Sequence, residues 1–225
     1  GVKNVRLIAS SSDACSHDTT KSFLIHDYPR AKISSSSDTI CFRGNKIDFV
    51  DSSTYAGRSR IVKSIWFYDS ATTKANRDTA IGSGPISIEY SSLGKKDIKL
   101  IVLDGNGCSD TTESDVFVLN HPKARIHHTD TNLCKLSNLF LLTDTSSKTD
   151  LSVSKWNWDF DANHNPKQSS KDTSRSKGPH KIKYSDTGEY RINLVISDLF
   201  GCNDTASVTV YVHSEPISIT SRFDS

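Results

Sequence analysis

The residues of this chain best placed to do chemistry are its five cysteines, because they keep a fixed register. Cys15, Cys108 and Cys202 form one series, at intervals of 93 (108 − 15) and 94 (202 − 108) residues. Cys41 and Cys134 form a second, 93 apart (134 − 41). Each span of about 93 residues therefore holds an early and a late cysteine, Cys41 with Cys108 and Cys134 with Cys202, at separations of 67 and 68. The chemistry that fits is thiol oxidation. Equal spacing in both spans predicts two internal disulfides, Cys41–Cys108 and Cys134–Cys202; closing loops of that size contributes roughly 4 kcal/mol in the chain-entropy account. Buried thiols are the alternative. Cys15 is of the late type, so its partner is expected upstream and its thiol unpaired within this segment. Disulfides belong to oxidising compartments, which implies an extracellular or cell-surface setting.

Other chemistries find little support. No C-x-x-C pair is present, which disfavours zinc and dithiol redox sites. Calcium requires six to eight oxygens, commonly from several carboxylates. The loop from Ser52 to Arg60 has none, and that from Thr145 to Ser152 has only Asp150. Asp144, Asp159 and Asp161 add ligands only if the chain folds back, so no cofactor is expected. His127 and His128 are adjacent, and on a strand they would face opposite ways. His164 and His180 have no acidic or thiol partner at ligand spacing. There is no G-x-S-x-G nucleophile turn, and no carboxylate pair stands out for glycoside chemistry. The expectation is a non-catalytic chain.

Behind the cysteines lies a repeated framework. Leu100-Ile101-Val102-Leu103-Asp104 through Gly107-Cys108-Ser109-Asp110-Thr111 returns as Leu194-Val195-Ile196-Ser197-Asp198 through Gly201-Cys202-Asn203-Asp204-Thr205. Pro29, Pro122 and Pro216 recur with the same period. A fixed period of domain length marks a tandem array. Ile192, Leu194 and Ile196, then Val208, Val210 and Val212, alternate with their neighbours as half-buried strands do. Turn signals separate them at Gly84-Pro85, Gly178-Pro179 and Asp186-Thr187-Gly188. An all-β, immunoglobulin-like sandwich in tandem is the fold these patterns predict. The expected organisation is an incomplete repeat over residues 1–27 (its last two strands), complete repeats over 28–120 and 121–215, and the start of another over 216–225. The chain then reads as part of something longer. With 28 basic and 26 acidic residues, net charge +2, it carries no field for nucleic acid. No apolar run approaches the ~20 residues of a membrane-spanning helix.

Trp156-Asn157-Trp158-Asp159-Phe160-Asp161, then Tyr184-x-x-x-Gly188-x-Tyr190 and Gly201-Cys202-x-Asp204-Thr205, resemble the PKD (polycystic-kidney-disease) domain. The likeness is to the Cys-containing form in giant surface and gliding-associated, adhesin-like proteins of Bacteroidetes. It runs over nearly the whole chain. Two departures stand out. The family's Trp-Asp-Phe-Gly-Asp-Gly turn is rebuilt in both copies, and its second Tyr is Lys96 in the first. The resemblance implies PKD-type sandwiches, a role as adhesin stalk or surface filament, and export by the type IX route. Trp66, Trp158, Tyr90 and Tyr184 are expected core aromatics, the tryptophans on the central strand.

One asymmetry points to a partner. Where the second repeat shows Lys155, Asn157 and Asp159, the first shows Lys63, Ile65 and Phe67, and Ile61 extends the stripe. Contiguous exposed apolar surface marks a contact. Ile61, Ile65 and Phe67 are therefore a candidate contact face for a neighbouring repeat, a second chain or a fibre; cover by the chain's own N-terminal segment is the alternative. Recurrent Asp-Thr strings such as Asp110-Thr111 and Asp204-Thr205 resemble an O-glycosylation pattern, although Asp and Thr also suit turns. The rival role is a carbohydrate- or protein-binding accessory module of a secreted hydrolase.

Overall fold

The computed structural model describes residues 1–55, 60–68, 79–162 and 173–216. All regular elements among them are strands. A leading hairpin pairs β1 (Val2–Ser10) with β2 (Ser16–Leu24). The first repeat supplies β3 (Pro29–Arg30), β4 (Ile33–Ser35), β5 (Thr39–Cys41), β6 (Ile47–Asp51), β7 (Thr54–Tyr55), β8 (Ile61–Tyr68), β9 (Thr79–Ile81), β10 (Ile86–Ile88), β11 (Gly94–Asp104) and β12 (Ser109–Leu119). The second supplies β13 (Ile126–His128), β14 (Asn132–Cys134), β15 (Phe140–Asp144), β16 (Lys155–Asp159), β17 (Thr173–Ser174), β18 (His180–Ile182), β19 (Gly188–Ser197) and β20 (Asn203–His213). The two main sheets match strand for strand, and the first repeat adds a β3-β7 pair where the second has an isolated bridge between Lys123 and Ser147. The first repeat has β10-β6-β4 and β5-β12-β11-β8-β9; the second has β18-β15-β13 and β14-β20-β19-β16-β17. Two packed sheets of three and five strands make each repeat an immunoglobulin-like sandwich.

Alternation decides which side chains fill the core. Along β11, Ile98, Leu100 and Val102 are fully buried, as are Ile192, Leu194 and Ile196 along β19. From the opposite sheets come Ile47 and Phe49, and Phe140 and Leu142. Trp66 and Trp158 lie between, both fully buried. Each large apolar side chain so buried contributes on the order of 2 kcal/mol.

The β11–β12 and β19–β20 turns share one construction. Asp104 Oδ1 accepts the N–H groups of Asn106 and Cys108 at 2.9 and 2.8 Å. Asp198 Oδ1 accepts those of Phe200 and Cys202 at 2.9 and 3.0 Å. Gly107 and Gly201, at φ 84° and 85°, supply the left-handed step that other residues disfavour.

The leading hairpin has the register of β11–β12 shifted by one period: Lys3 faces Phe23 as Lys96 faces Val116, and Leu7 faces Thr19 as Leu100 faces Thr112. Its apolar side chains are bare, with Val5 at 58% and Leu7 at 65% exposure. Contacts divide the chain into two compact units, Gly1–Ile40 with Gly44–Val118, and Cys41–Arg43 with Leu119–Ser225.

Candidate functional site

The cysteine chemistry is concentrated in the second unit. Cys41 is bonded to Cys202, with Cα atoms 5.4 Å apart, inside the usual span for a bridge. The expected pairs Cys41–Cys108 and Cys134–Cys202 are therefore corrected: Cys108 and Cys134 are partly exposed thiols, and Cys15 is an exposed one. The reason is strand length. β14 runs parallel to β20 with Cys134 opposite His213, whereas Cys202 precedes the first residue of β20. Ten residue steps at about 3.3 Å separate these ends by roughly 33 Å. The first repeat repeats the problem, since Phe42 donates to the Leu119 carbonyl at the far end of β12 and Cys108 precedes its start.

Around the bridge, polar groups interlock. The Arg43 N–H donates to His121 Nε2 at 2.9 Å, and His121 Nδ1 meets the Asn203 carbonyl at 2.7 Å. His121 Nε2 therefore accepts, and its Nδ1 is the side that donates to the Asn203 carbonyl. The Arg43 guanidinium donates to Asp204 Oδ1 at 2.9 Å, and Asp204 Oδ2 accepts the Ala124 N–H at 2.9 Å. Burial pushes the Asp204 carboxyl up, but the Ala124 N–H, the Arg43 guanidinium and the Thr205 N–H outweigh it and hold it below the usual range. Asp110 takes the Ala31 N–H in the same way, at 2.7 Å. The Asp of each Gly-Cys-x-Asp-Thr turn thus ties down the entry of its own repeat.

The carboxylates weighed for calcium have other work. Asp144 accepts from the Ser146 N–H and from Trp156 Nε1, at 2.9 and 2.7 Å. Asp150 accepts from the Asn120 N–H and Asp159 from the Asp161 N–H. Among the described residues no three His, Cys, Asp or Glu side chains are grouped to hold a metal ion. His180 packs edge-on against Trp158 and Phe160, both centroids at 5.2 Å. His164 lies outside the described residues, as do 217–225 of the expected following repeat.

On β8, Ile65 is half-buried and Phe67 is 38% exposed. Ile65 stands between Ile101 of β11 and Ile81 of β9, and Ile81, at 72% exposure, is an apolar neighbour the stripe pattern did not reveal. Ile61 leaves the line. A bulge at Val62 puts Ile61 opposite Asp104, a buried position, so the three-residue stripe is corrected to Ile65, Phe67 and Ile81. Residues of the leading segment line a hollow with Tyr55, Arg60 and Val62. Phe67 instead borders Lys95, Asp97, Lys99, Glu113 and Asp115.

Trp66, Trp158, Tyr90 and Tyr184 are all buried. Sequence reasoning missed the residues that brace the tyrosines. Asn45 and Asn138 are buried, and each side-chain amide pairs with both backbone groups of Tyr90 or Tyr184. The available signal was their spacing of 93 (138 − 45).

No family model matches the chain, and no curated protein matches it. Among solved structures it is similar to the PKD1 domain of the Vibrio cholerae metalloprotease PrtV, at 26% identity over 41% of this chain and 96% of that one, TM-score 0.32. The PKD1 domain of Vibrio anguillarum Epp matches at 20% identity over 42% and 96%, TM-score 0.33. A Ca2+-stabilized, ice-binding adhesin of an Antarctic bacterium matches at 12% identity over 96% of this chain and 58% of that one, TM-score 0.44. The chain is a tandem array of immunoglobulin-like sandwiches, the fold class to which PKD domains belong. No helix among the described residues is long and apolar enough to cross a membrane.

Proposed function

We propose that this chain is a non-catalytic run of PKD-like repeats within a large extracellular or cell-surface bacterial protein, serving as the stalk of an adhesin and so supporting attachment to cells or surfaces. The observation that carries this reading is the matching strand order of the two main sheets in both sandwiches, together with a disulfide linking the sequences of successive repeats. Such a bond needs an oxidising compartment. Polar groups in the turns are spent on structure, through Asp104, Asp198, Asp110 and Asp204. The resemblance to the Bacteroidetes proteins adds export by the type IX route.

The test pairs two measurements. Intact source cells treated with protease should release peptides of residues 1–225, and the purified chain should give no saturable titration with a panel of polysaccharides. Saturable binding to one polysaccharide would replace the stalk with the accessory module of a secreted hydrolase. Peptides released only after lysis would overturn the surface location.

A further inference from the structure

The Cys41–Cys202 bond spans 161 residues, against 67 (108 − 41) for the early and late cysteines of one repeat. The bond therefore joins an early cysteine to the late cysteine one repeat further on. We propose that this pairing rule runs along the whole array, so that Cys134 and Cys108 are each half of the same bridge. Cys134 bonds the late cysteine of a like repeat after it, and Cys108 bonds the early cysteine of a like repeat before it. The proposal rests on the reading of the chain as part of a longer array.

Each thiol sits in the frame that its bonded counterpart occupies. Beside Cys134, the Lys135 N–H donates to the His213 carbonyl at 2.9 Å; beside Cys41, the Phe42 N–H donates to the Leu119 carbonyl at 2.8 Å. The next amide is held alike: Leu136 N–H on Glu215 Oε1 at 2.8 Å, and Arg43 N–H on His121 Nε2 at 2.9 Å. Glu215 and His121 each precede the junction proline. A different side chain thus makes the same bond at the same place, which keeps the early cysteine's backbone fixed.

The late cysteines match as closely. The Asp104 N–H donates to the Cys108 carbonyl at 2.9 Å and the Gly107 N–H to the Asp104 carbonyl at 3.2 Å; for Asp198, Cys202 and Gly201 the distances are 3.0 and 3.2 Å. The difference is cover: Cys202, which has its partner, is fully buried, while Cys108 is partly exposed. No bridge can form between Cys134 and Cys202, which stand at opposite ends of β20. The leading hairpin, with the register of β11–β12 and a bare apolar face, is the chain's own trace of a repeat before the first.

Each bridge forms by exchange with a disulfide-bearing oxidant of the compartment. One cysteine thiolate attacks the oxidant's S–S bond and displaces one of its sulfurs as a thiolate. The second cysteine thiolate attacks the mixed disulfide and displaces the other. One S–S bond is made and one broken; the oxidant gains two electrons and takes up the two protons that the cysteines lose.

The deciding experiment is a non-reducing peptide map of the full protein from its source, with thiols alkylated before lysis. The Cys134 peptide is expected to be linked to a Gly-Cys-x-Asp-Thr peptide of another repeat, and the Cys108 peptide to an early-cysteine peptide preceding residue 1. Alkylated Cys134 beside flanking sequence that carries the repeat would overturn the bridge and leave the array standing. A Cys134 partner outside any such repeat would overturn both. A Cys134–Cys202 or Cys41–Cys108 link would overturn the pairing rule itself.

Discussion

The two sandwiches solve the same problem with different side chains. In the second repeat the rings of Tyr184 and Tyr190 stack, with centroids 3.7 Å apart, and both hydroxyls donate to carbonyls, those of Phe160 and Asp186. In the first, Lys96 stands where Tyr190 does. Its Nζ lies 5.8 Å from the Tyr90 ring centroid and donates to the Leu93 carbonyl and Ser92 Oγ. A cation over a ring replaces a stacked pair. Toward the other end of the strands, Asp51 accepts from the Ser64 hydroxyl where Asp144 accepts from Trp156 Nε1. The framework specifies where a donor must be, and tolerates changes in which residue brings it.

The sharpest way to break the comparison is at the late cysteines. Cys202→Ser removes a bond closing a loop of 161 residues, which the chain-entropy account values at about 5 kcal/mol. In a chain of residues 1–225, where Cys108 is a free thiol, Cys108→Ser, at the same position one repeat earlier, should stay within about 0.5 kcal/mol, as for a surface substitution. Guanidinium unfolding of the two variants checks this, and equal losses would contradict the assigned pairing.

A crossed pair of substitutions comes next. Trp66 Nε1 donates to the Gly82 carbonyl at 2.9 Å, while Trp158 Nε1 is buried without an acceptor among the described residues. The tyrosines reverse this. Tyr184 has its acceptor, whereas Tyr90 Oη has none among the described residues, and burial pushes its hydroxyl far above the ordinary range. Trp66→Phe and Tyr184→Phe should therefore each cost about 1–3 kcal/mol through a stranded carbonyl. Trp158→Phe and Tyr90→Phe should cost measurably less than their counterparts. The same costs in both repeats would mean that the hydrogen bonds contribute nothing beyond ring volume.

Much of this was legible in the sequence, and the parts that were not have physical reasons. Period-2 alternation in Ile98–Val102 and Ile192–Ile196 identified the strands, because one face of each must be buried. The disulfide partner was hidden because a constant period makes pairing within a repeat and between repeats equally regular. Only the run of β14 along β20 shows that Cys134 and Cys202 stand far apart. Asn45 and Asn138 stay hidden in the sequence, since nothing local marks an amide that will pair with a tyrosine backbone. The bulge at Val62 leaves no residue-type signal either, and it alone takes Ile61 off the Ile65–Phe67 face.

Lys96→Tyr tests whether the first repeat accepts the second's solution. Tyr at this position restores a ring pair, worth about 1 kcal/mol beyond area burial, and removes the need to bury an ammonium. A modest rise in the unfolding midpoint of the first unit is expected. A fall would show that the Lys96 bonds to Leu93 and Ser92 outweigh stacking there.

The smallest effect expected is in acid. The Asp204 carboxyl is held below its usual range in the fold, so its contribution is fully present above the unfolded carboxylate value, near 3.9. It is lost as pH falls below that value and through the lower folded one, because the unfolded chain then binds the extra proton. Asp204→Asn removes this dependence along with the Arg43 ion pair. Urea midpoints measured from pH 6 down to pH 2 should place the variant below the parent at the upper end, with the two converging toward the acid end. Parallel curves would mean that Asp204 acts through shape and hydrogen bonding to Ala124 alone, with its charge contributing nothing to how the second repeat holds its entry strand.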